Sequence, residues 1–308
     1  MVFPHRYVSN DEDSHRWLDL PLRKGDIVIS TRSKSGTTWM QMICALLVFQ
    51  TSDLPAPLSE LSPWLDWTGE PQAEVYDRLA AQRHRRFIKT HTPFDGIPCD
   101  KRMRRIVVAR HPLDAAVSMY HQGNNLNRER IRELIGAAAG AGGSGDRGLQ
   151  AGPTDPPAPR PDLHEWLIGW INEQVDPRES LDSLQGVMWH LKGAWACQEK
   201  SNTLLVHYAD LSADLEGEMR RIARWLHIKV DESRWAELVR AATFSEMKSR
   251  ASALAPDPNG IMKDCDAFFR RGVSGAAAEV LSEEELRAYY DRADDLAPGS
   301  LLKWLHRS

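Results

Sequence analysis

Apolar residues along this chain follow two rhythms. Short runs rich in β-branched and aliphatic residues, 26–31 (DIVIST), 86–91 (RFIKTH), 105–110 (RIVVAR) and 203–208 (TLLVHY), are bounded by turn-forming or charged residues and predict strands. Other stretches repeat their apolar residues at helical spacing. Residues 36–50 follow the first strand as a helix, Pro112 opens another directly after the third, and Leu211, Leu215, Met219, Ile222 and Leu226 form an apolar stripe. Asp162 with Glu165, and Ser282 with Glu285, have the spacing of capping boxes, and the chain from 162 onward reads as mainly helical. Strands alternating with helices predict an α/β fold. Its central parallel sheet is flanked by helices on both faces and receives ligands at the carboxyl ends of the strands.

One segment keeps neither rhythm. Residues 136–161 are rich in Gly, Ala and Pro and predict a mobile loop, a candidate lid, within a single domain spanning 1–308. No internal repeat of useful length is present.

Composition narrows the function by exclusion. With 42% hydrophobic and 27% charged residues the chain has ordinary globular composition, and a formal net charge of -4 gives no general attraction to nucleic acid or anionic membrane. A bound anion must therefore be held locally. The N-terminus is polar and acidic, and the longest apolar run, 42–49, is too short to span a bilayer. Cys44, Cys99, Cys197 and Cys265 are scattered without C-x-x-C spacing, which points to a reducing cytoplasm rather than to zinc or a disulfide scaffold.

The candidate chemistry gathers where strands end. Residues 32–39 (RSKSGTTW) lie between a predicted strand and helix, where free backbone N–H groups and the positive helix end can cradle a phosphate. Lys34 adds charge, and Thr37 and Thr38 add hydroxyl donors. This is not the G-x-x-x-x-G-K-[ST] loop of nucleoside-triphosphate hydrolases, because the lysine precedes Gly36 and no earlier glycine stands at the required offset. His91 closes the second strand beside Lys89, and a neutral imidazole there suits removal of a hydroxyl proton.

These segments resemble the signatures of the cytosolic-type sulfotransferases, which use 3′-phosphoadenosine 5′-phosphosulfate (PAPS) as sulfuryl donor. KSGTTW resembles the 5′-phosphosulfate loop, KTHTP (89–93) the catalytic stretch, RHPLDAAVS (110–118) the 3′-phosphate element, and FFRRG (268–272) the segment completing the nucleotide pocket. SPWLD (62–66), RFIKTHTPFDG (86–96) and FFRRG are most similar to the actinobacterial branch of glycolipid sulfotransferases. The resemblance covers roughly residues 20–275 and implies a P-loop-like sulfotransferase fold.

By that resemblance His91 is the general base, Lys34 guards the bridging oxygen, and Lys89 holds sulfuryl and 5′-phosphate oxygens. Ser35, Gly36, Thr37 and Thr38 line the 5′-phosphosulfate loop, and Arg110 and Ser118 take the 3′-phosphate. Phe268, Phe269, Arg270, Arg271 and Gly272 complete that pocket, and Trp39, Thr243 and Phe244 pack around the purine, with Tyr208 near the nucleotide. The resemblance further implies no metal and a glycolipid, other hydrophobic alcohol or phenol as acceptor. Trp64, Trp67, Trp166, Trp170, Trp189 and Trp195 are candidates for an acceptor cleft or for core.

The chain also departs from the family. Arg32-Ser33 replaces the usual Tyr-Pro, Ala242 stands where many relatives have threonine, and Ala276-Ala277-Ala278 replaces Asp-Trp and a basic residue. The K-x-x-x-T-V-x-x-x-E dimer motif is absent, so no oligomeric state is assigned. Two other readings stay open on the residues alone: a P-loop-like kinase or other phosphoryl transferase, which would need Mg²⁺, and a PAPS-binding module without turnover.

Overall fold

The four predicted runs form β1 (Ile27–Ser30), β2 (Phe87–Thr90), β3 (Arg104–Ala109) and β4 (Thr203–His207), each within a residue or two of its expected ends. All pair parallel in the order β2-β1-β3-β4. Ile27 is level with Phe87 on one side and Arg104 on the other, and Val107 is level with Leu205. The computed structural model describes residues 4–141, 160–257, 259–272 and 275–307.

The sheet is buried on both faces, which is why its strands read as continuous apolar runs rather than alternating ones. Ile27, Ile29 and Val108 pack with Ile43 and Leu46 of the Thr37–Phe49 helix on one side. Val28, Ile88 and Val107 pack with Trp17, Leu113 and Tyr289 on the other. Each such side chain contributes about 1.5–3 kcal/mol by leaving water. At the amino ends of β1 and β2 the Arg86 guanidinium donates two hydrogen bonds to the Asp26 carboxylate, and both side chains are buried. Removing either partner would strand a buried charge, at a cost of about 3–5 kcal/mol.

Helix starts follow their capping residues. Gly36 caps the Thr37–Phe49 helix and Pro112 takes the first position of Pro112–Asn125. Ser282 and Glu285 complete a reciprocal capping box, and Asp162 accepts from Glu165 N at 2.9 Å. The stripe from Leu211 to Leu226 is not one helix. Asp214 accepts from Gly217 N at 2.8 Å and so starts a new helix, Leu215–Leu226, after Tyr208–Ala213 has ended. Met219, Ile222 and Leu226 are buried as the stripe requires.

The expected loop over 136–161 is helix at its start, through Ala141. The Arg128–Ala141 helix runs through its first residues, where alanines favour helix despite the glycines. Residues 142–159, and with them the expectation of a mobile lid, lie outside the described residues. Among the described residues no helix is long and apolar enough to cross a membrane.

Parallel pairing brings all four carboxyl ends to one edge of the sheet. The chain leaves that edge at Thr31, His91, Arg110 and Tyr208.

Candidate active site

The loop after β1 turns through two left-handed residues, Lys34 at φ 62° and Gly36 at φ 105°. A Cβ on Gly36 would lie 3.1 Å from the Tyr208 ring, so glycine serves both the backbone angle and the close approach. No side chain caps the helix that follows, and its first residues, Thr37, Thr38 and Trp39, line the cavity. An uncapped helix start of this kind favours an anion.

Arg32, which stands where the family usually has tyrosine, has a structural role. Its buried guanidinium donates to the His91 carbonyl oxygen and, at 2.7 Å, to Asp182 Oδ1, tying the loop after β1 to the end of β2. Ser33 Oγ donates to the other Asp182 oxygen at 3.1 Å.

His91 is 6% exposed and is held from three sides. Its Nδ1 lies 2.6 Å from the Thr31 carbonyl oxygen, its backbone N donates to Asp66 Oδ2 at 3.1 Å, and the Trp64 ring meets it edge-on with centroids 4.9 Å apart. A carbonyl only accepts, so Nδ1 carries the proton and Nε2 keeps a free lone pair. Burial, with Lys89 and Arg32 nearby, holds the imidazole well below its ordinary pKa and therefore neutral. Neutrality costs some basicity and guarantees the form that can accept a proton. Asp66 is fully buried behind this site. Thr90 Oγ1 also donates to its Oδ2, and burial raises its pKa.

Six basic side chains line the same cavity, which holds about 430 Å³; besides Arg160 and Arg271 they are Lys34, Lys89, Arg110 and Arg270, the last three of which act electrostatically on Lys34. The Lys34 ammonium sits 3.9 Å above the Phe268 ring and donates to Gln122 Oε1 at 3.3 Å. Burial first, then Arg110, Lys89 and Arg270, lower its pKa to about 7. Lys89 lies 3.7 Å over the Trp64 ring, and burial lowers its pKa to about 8. Arg110 stacks over Tyr208 at 4.5 Å. Two lysines buried until their ammonium groups begin to lose protons, with further cations beside Lys34, form a site whose charge is completed by an anion.

The FFRRG segment closes this wall. Phe244 packs so tightly on Gly272, at φ 67°, that a Cβ there would lie 2.8 Å from the ring. Asp114, in the helix that Pro112 opens, accepts from Gly275 N at 2.8 Å and Ala276 N at 3.2 Å, fastening the segment to the Arg110 element. Arg271 reaches the cavity while its guanidinium forms a paired bridge to Glu279 at 2.9 and 3.0 Å.

All the site residues expected from the sequence line this one cavity except Ser35 and Thr243. Ser35 is buried in the loop's own turn, and Thr243 caps the Phe244–Ser249 helix, donating from Oγ1 to Arg240 O at 2.8 Å. Of the six tryptophans, Trp64, Trp67 and Trp166 reach the cavity. Trp170 donates to Asp182 O, Trp189 donates to the Tyr7 hydroxyl, and Trp195 packs on Trp304.

Sequence reasoning missed Gln122, Asp11 and Asp182, which also line the cavity, and gave Asp66 no role. Gln122 had a signal, since it stands four residues after Ser118 on the same helix and so shares its face. The two aspartates had none, because only tertiary packing brings them to the rim.

Comparisons with known proteins identify the family and the fold. A sulfotransferase domain is matched over residues 24–297. A glycolipid sulfotransferase of Mycobacterium bovis is 42% identical over 97% of this chain and 93% of its own length, and human sulfotransferase 1C2 is 24% identical over 81% and 75%. A mouse sulfotransferase solved with PAP (the nucleotide PAPS leaves after transfer) superposes with a TM-score of 0.68 at 20% identity, covering 96% of this chain and 93% of that one. Retinol dehydratase, solved with androsterone and inactive cofactor PAP, gives 0.62 at 21% identity, over 91% and 82%. Those likenesses show a common fold, and the domain match with the mycobacterial identity decides the rest: this chain belongs to the sulfotransferase family.

Proposed function

We propose that this enzyme moves a sulfuryl group from PAPS to an acceptor hydroxyl, with His91 as general base. One observation carries the reading: His91, with Nε2 left free by the Nδ1–Thr31 contact, lines the same cavity as Lys34, Lys89, Arg110 and Arg270. The acceptor oxygen attacks sulfur, its proton passes to His91 Nε2, and the bond from sulfur to the 5′-phosphate oxygen breaks. Lys34 and Lys89 face the charge that grows on the departing oxygens, so their effect is greatest in the transition state. Arg110 and Ser118 take the 3′-phosphate, and Trp39, Phe244 and Tyr208 surround the base. In this reading the four cations supply the charge stabilisation, and no metal is required.

The mycobacterial relative's name supports a glycolipid acceptor, as do Trp64, Trp67 and Trp166 on the cavity wall. A single domain in the cytoplasm fits the domain match and the scattered cysteines. Incubation with labelled PAPS and a panel of glycolipids, alcohols and phenols tests the proposal. A glycolipid that gains one sulfuryl group by mass spectrometry supports it, whereas transfer to none of the panel overturns it.

A further inference from the structure

A second, smaller cavity of about 50 Å³ adjoins the main one, the two sharing Trp64, Trp67, Lys89, Pro256 and Ile261. Its wall contains Ser62 and Gln41, and Glu70 and Arg78 lie at its side. Two polar atoms of its lining residues have no hydrogen-bond partner among the described residues: Ser62 Oγ, on a residue 1% exposed, and Trp64 Nε1. Gln41 does not satisfy them, since its Nε2 donates to the Ser62 backbone oxygen at 3.0 Å. A buried hydroxyl and a buried indole N–H left unmade cost about 1–3 kcal/mol each, so they point to something that arrives.

The position of the cavity tells what arrives. Trp64 lines both spaces, with Lys89 over its ring at 3.7 Å and the His91 ring edge-on to it, centroids 4.9 Å apart. A group seated against Nε1 is therefore one indole ring away from the base that would deprotonate the acceptor. The space is several times the roughly 10–15 Å³ a single water needs, but far too small for a lipid chain or an aromatic ring. Ser62 both donates and accepts, while Trp64 only donates. A hydroxyl, which can accept from the indole and exchange either role with Ser62, satisfies both atoms.

We infer that this side cavity is an acceptor subsite for a second hydroxyl, so that the preferred acceptor is a polyol such as a sugar ring rather than a monohydroxylic alcohol or phenol. The inference rests on the proposed sulfuryl transfer and names the acceptor chemistry that the transfer site favours. Where the subsite is empty of ligand, water fills it, and the incoming hydroxyl replaces that water's hydrogen bonds.

Octyl glucoside and octanol are the paired probes, each compared in wild type, Ser62→Ala and Ser62→Val. Wild type should sulfate octyl glucoside with the higher kcat/KM. Ser62→Val, which fills the cavity and removes the hydroxyl, should lower that value by about 10-fold, and Ser62→Ala by about 3- to 10-fold, the range expected for one neutral hydrogen bond. Octanol turnover and PAP affinity should not move, which also shows that the variants fold. Equal losses for both probes, or none for either, would overturn the subsite and leave a cavity that holds only water. If wild type transfers to neither probe, calorimetry of octyl glucoside on the PAP complex decides the subsite separately from catalysis. Binding weakened by Ser62→Val keeps the subsite while the transfer reading fails; absence of binding, or binding that Ser62→Val leaves unchanged, overturns the subsite.

Discussion

His91 Nδ1 stands 2.6 Å from the carbonyl oxygen of Thr31, so the residue that follows one strand orients the imidazole that follows its neighbour. The contact exists because β1 and β2 pair in parallel with Ser30 level with Thr90, which sets the two following residues side by side. His91→Ala should lower turnover by about 10²–10⁴-fold and leave PAP affinity nearly intact, as loss of a positioned base does. Near-wild-type turnover would remove His91 from the mechanism.

The surroundings of His91 also predict a pH profile. Burial and the neighbouring cations hold it well below 6.5, so with PAPS saturating, where the bound anion keeps Lys34 and Lys89 charged, kcat should not fall through protonation of His91 until the pH is on the acid side of that value. After burial itself, the charge on Lys89 does most to depress it. Lys89→Met should therefore move the acid limb to higher pH, along with its direct loss of rate. A limb that stays in place, or moves to lower pH, would show that another group titrates there.

Lys34 predicts proton uptake. Its pKa is lowered to about 7 by burial and by Arg110, Lys89 and Arg270, and an anionic nucleotide would raise it again. At pH 8 the ammonium is partly deprotonated before binding and protonated after, so PAP should bind with net uptake of protons. Below about pH 6 the ammonium is already charged and uptake should vanish. Calorimetry in buffers of different ionisation enthalpy measures this directly. Lys34→Met should reduce the uptake at pH 8 but leave the share due to Lys89, which lies near 8. Uptake unchanged by Lys34→Met would mean that the nucleotide does not meet Lys34.

Asp66 makes a prediction about stability. Its pKa is raised by burial, so folding favours the protonated acid, and wild type should lose stability as pH rises from the ordinary carboxylate value of 3.8 toward the raised one. Asparagine is neutral throughout and can still accept from His91 N and Thr90 Oγ1. The melting temperature of Asp66→Asn relative to wild type should therefore rise with pH above about 4 and be flat below it. A gap that narrows as pH rises would show that the hydrogen bonds outweigh desolvation.

Much of this arrangement is legible in the sequence. The four strands betray themselves because a sheet buried on both faces needs apolar residues at successive positions, as in Ile27, Val28 and Ile29. Residues adjoining strand ends, His91 and Arg110 among them, are found for the same reason. What is not legible depends on packing between distant segments. Asp182 reaches Arg32 across 150 positions of sequence, and the buried, unpartnered Ser62 Oγ and Trp64 Nε1 follow from the fit of surrounding elements. Asp214 shows a smaller failure: a continuous apolar period hid a helix start that one carboxylate fixes.

Arg110 and Ser118 separate recognition of a 3′-phosphate from generic adenine-nucleotide binding. Both line the cavity, Arg110 stacked over Tyr208 at 4.5 Å, and Asp114 fastens their helix to the segment that follows Gly272. A hydrogen bond between charged groups contributes about 1.5–3 kcal/mol, so Arg110→Ala should weaken PAP binding by about 10- to 150-fold. Adenosine 5′-phosphate lacks the contacted group, and its affinity should barely change. Ser118→Ala should show the same selectivity with a smaller loss, because a neutral hydroxyl is the weaker donor. Calorimetry with both nucleotides against wild type and the two variants decides the assignment. If both ligands weaken alike, these side chains support the fold of the pocket instead, and the 3′-phosphate must be held elsewhere on the cationic wall, with Arg270 the next residue to test.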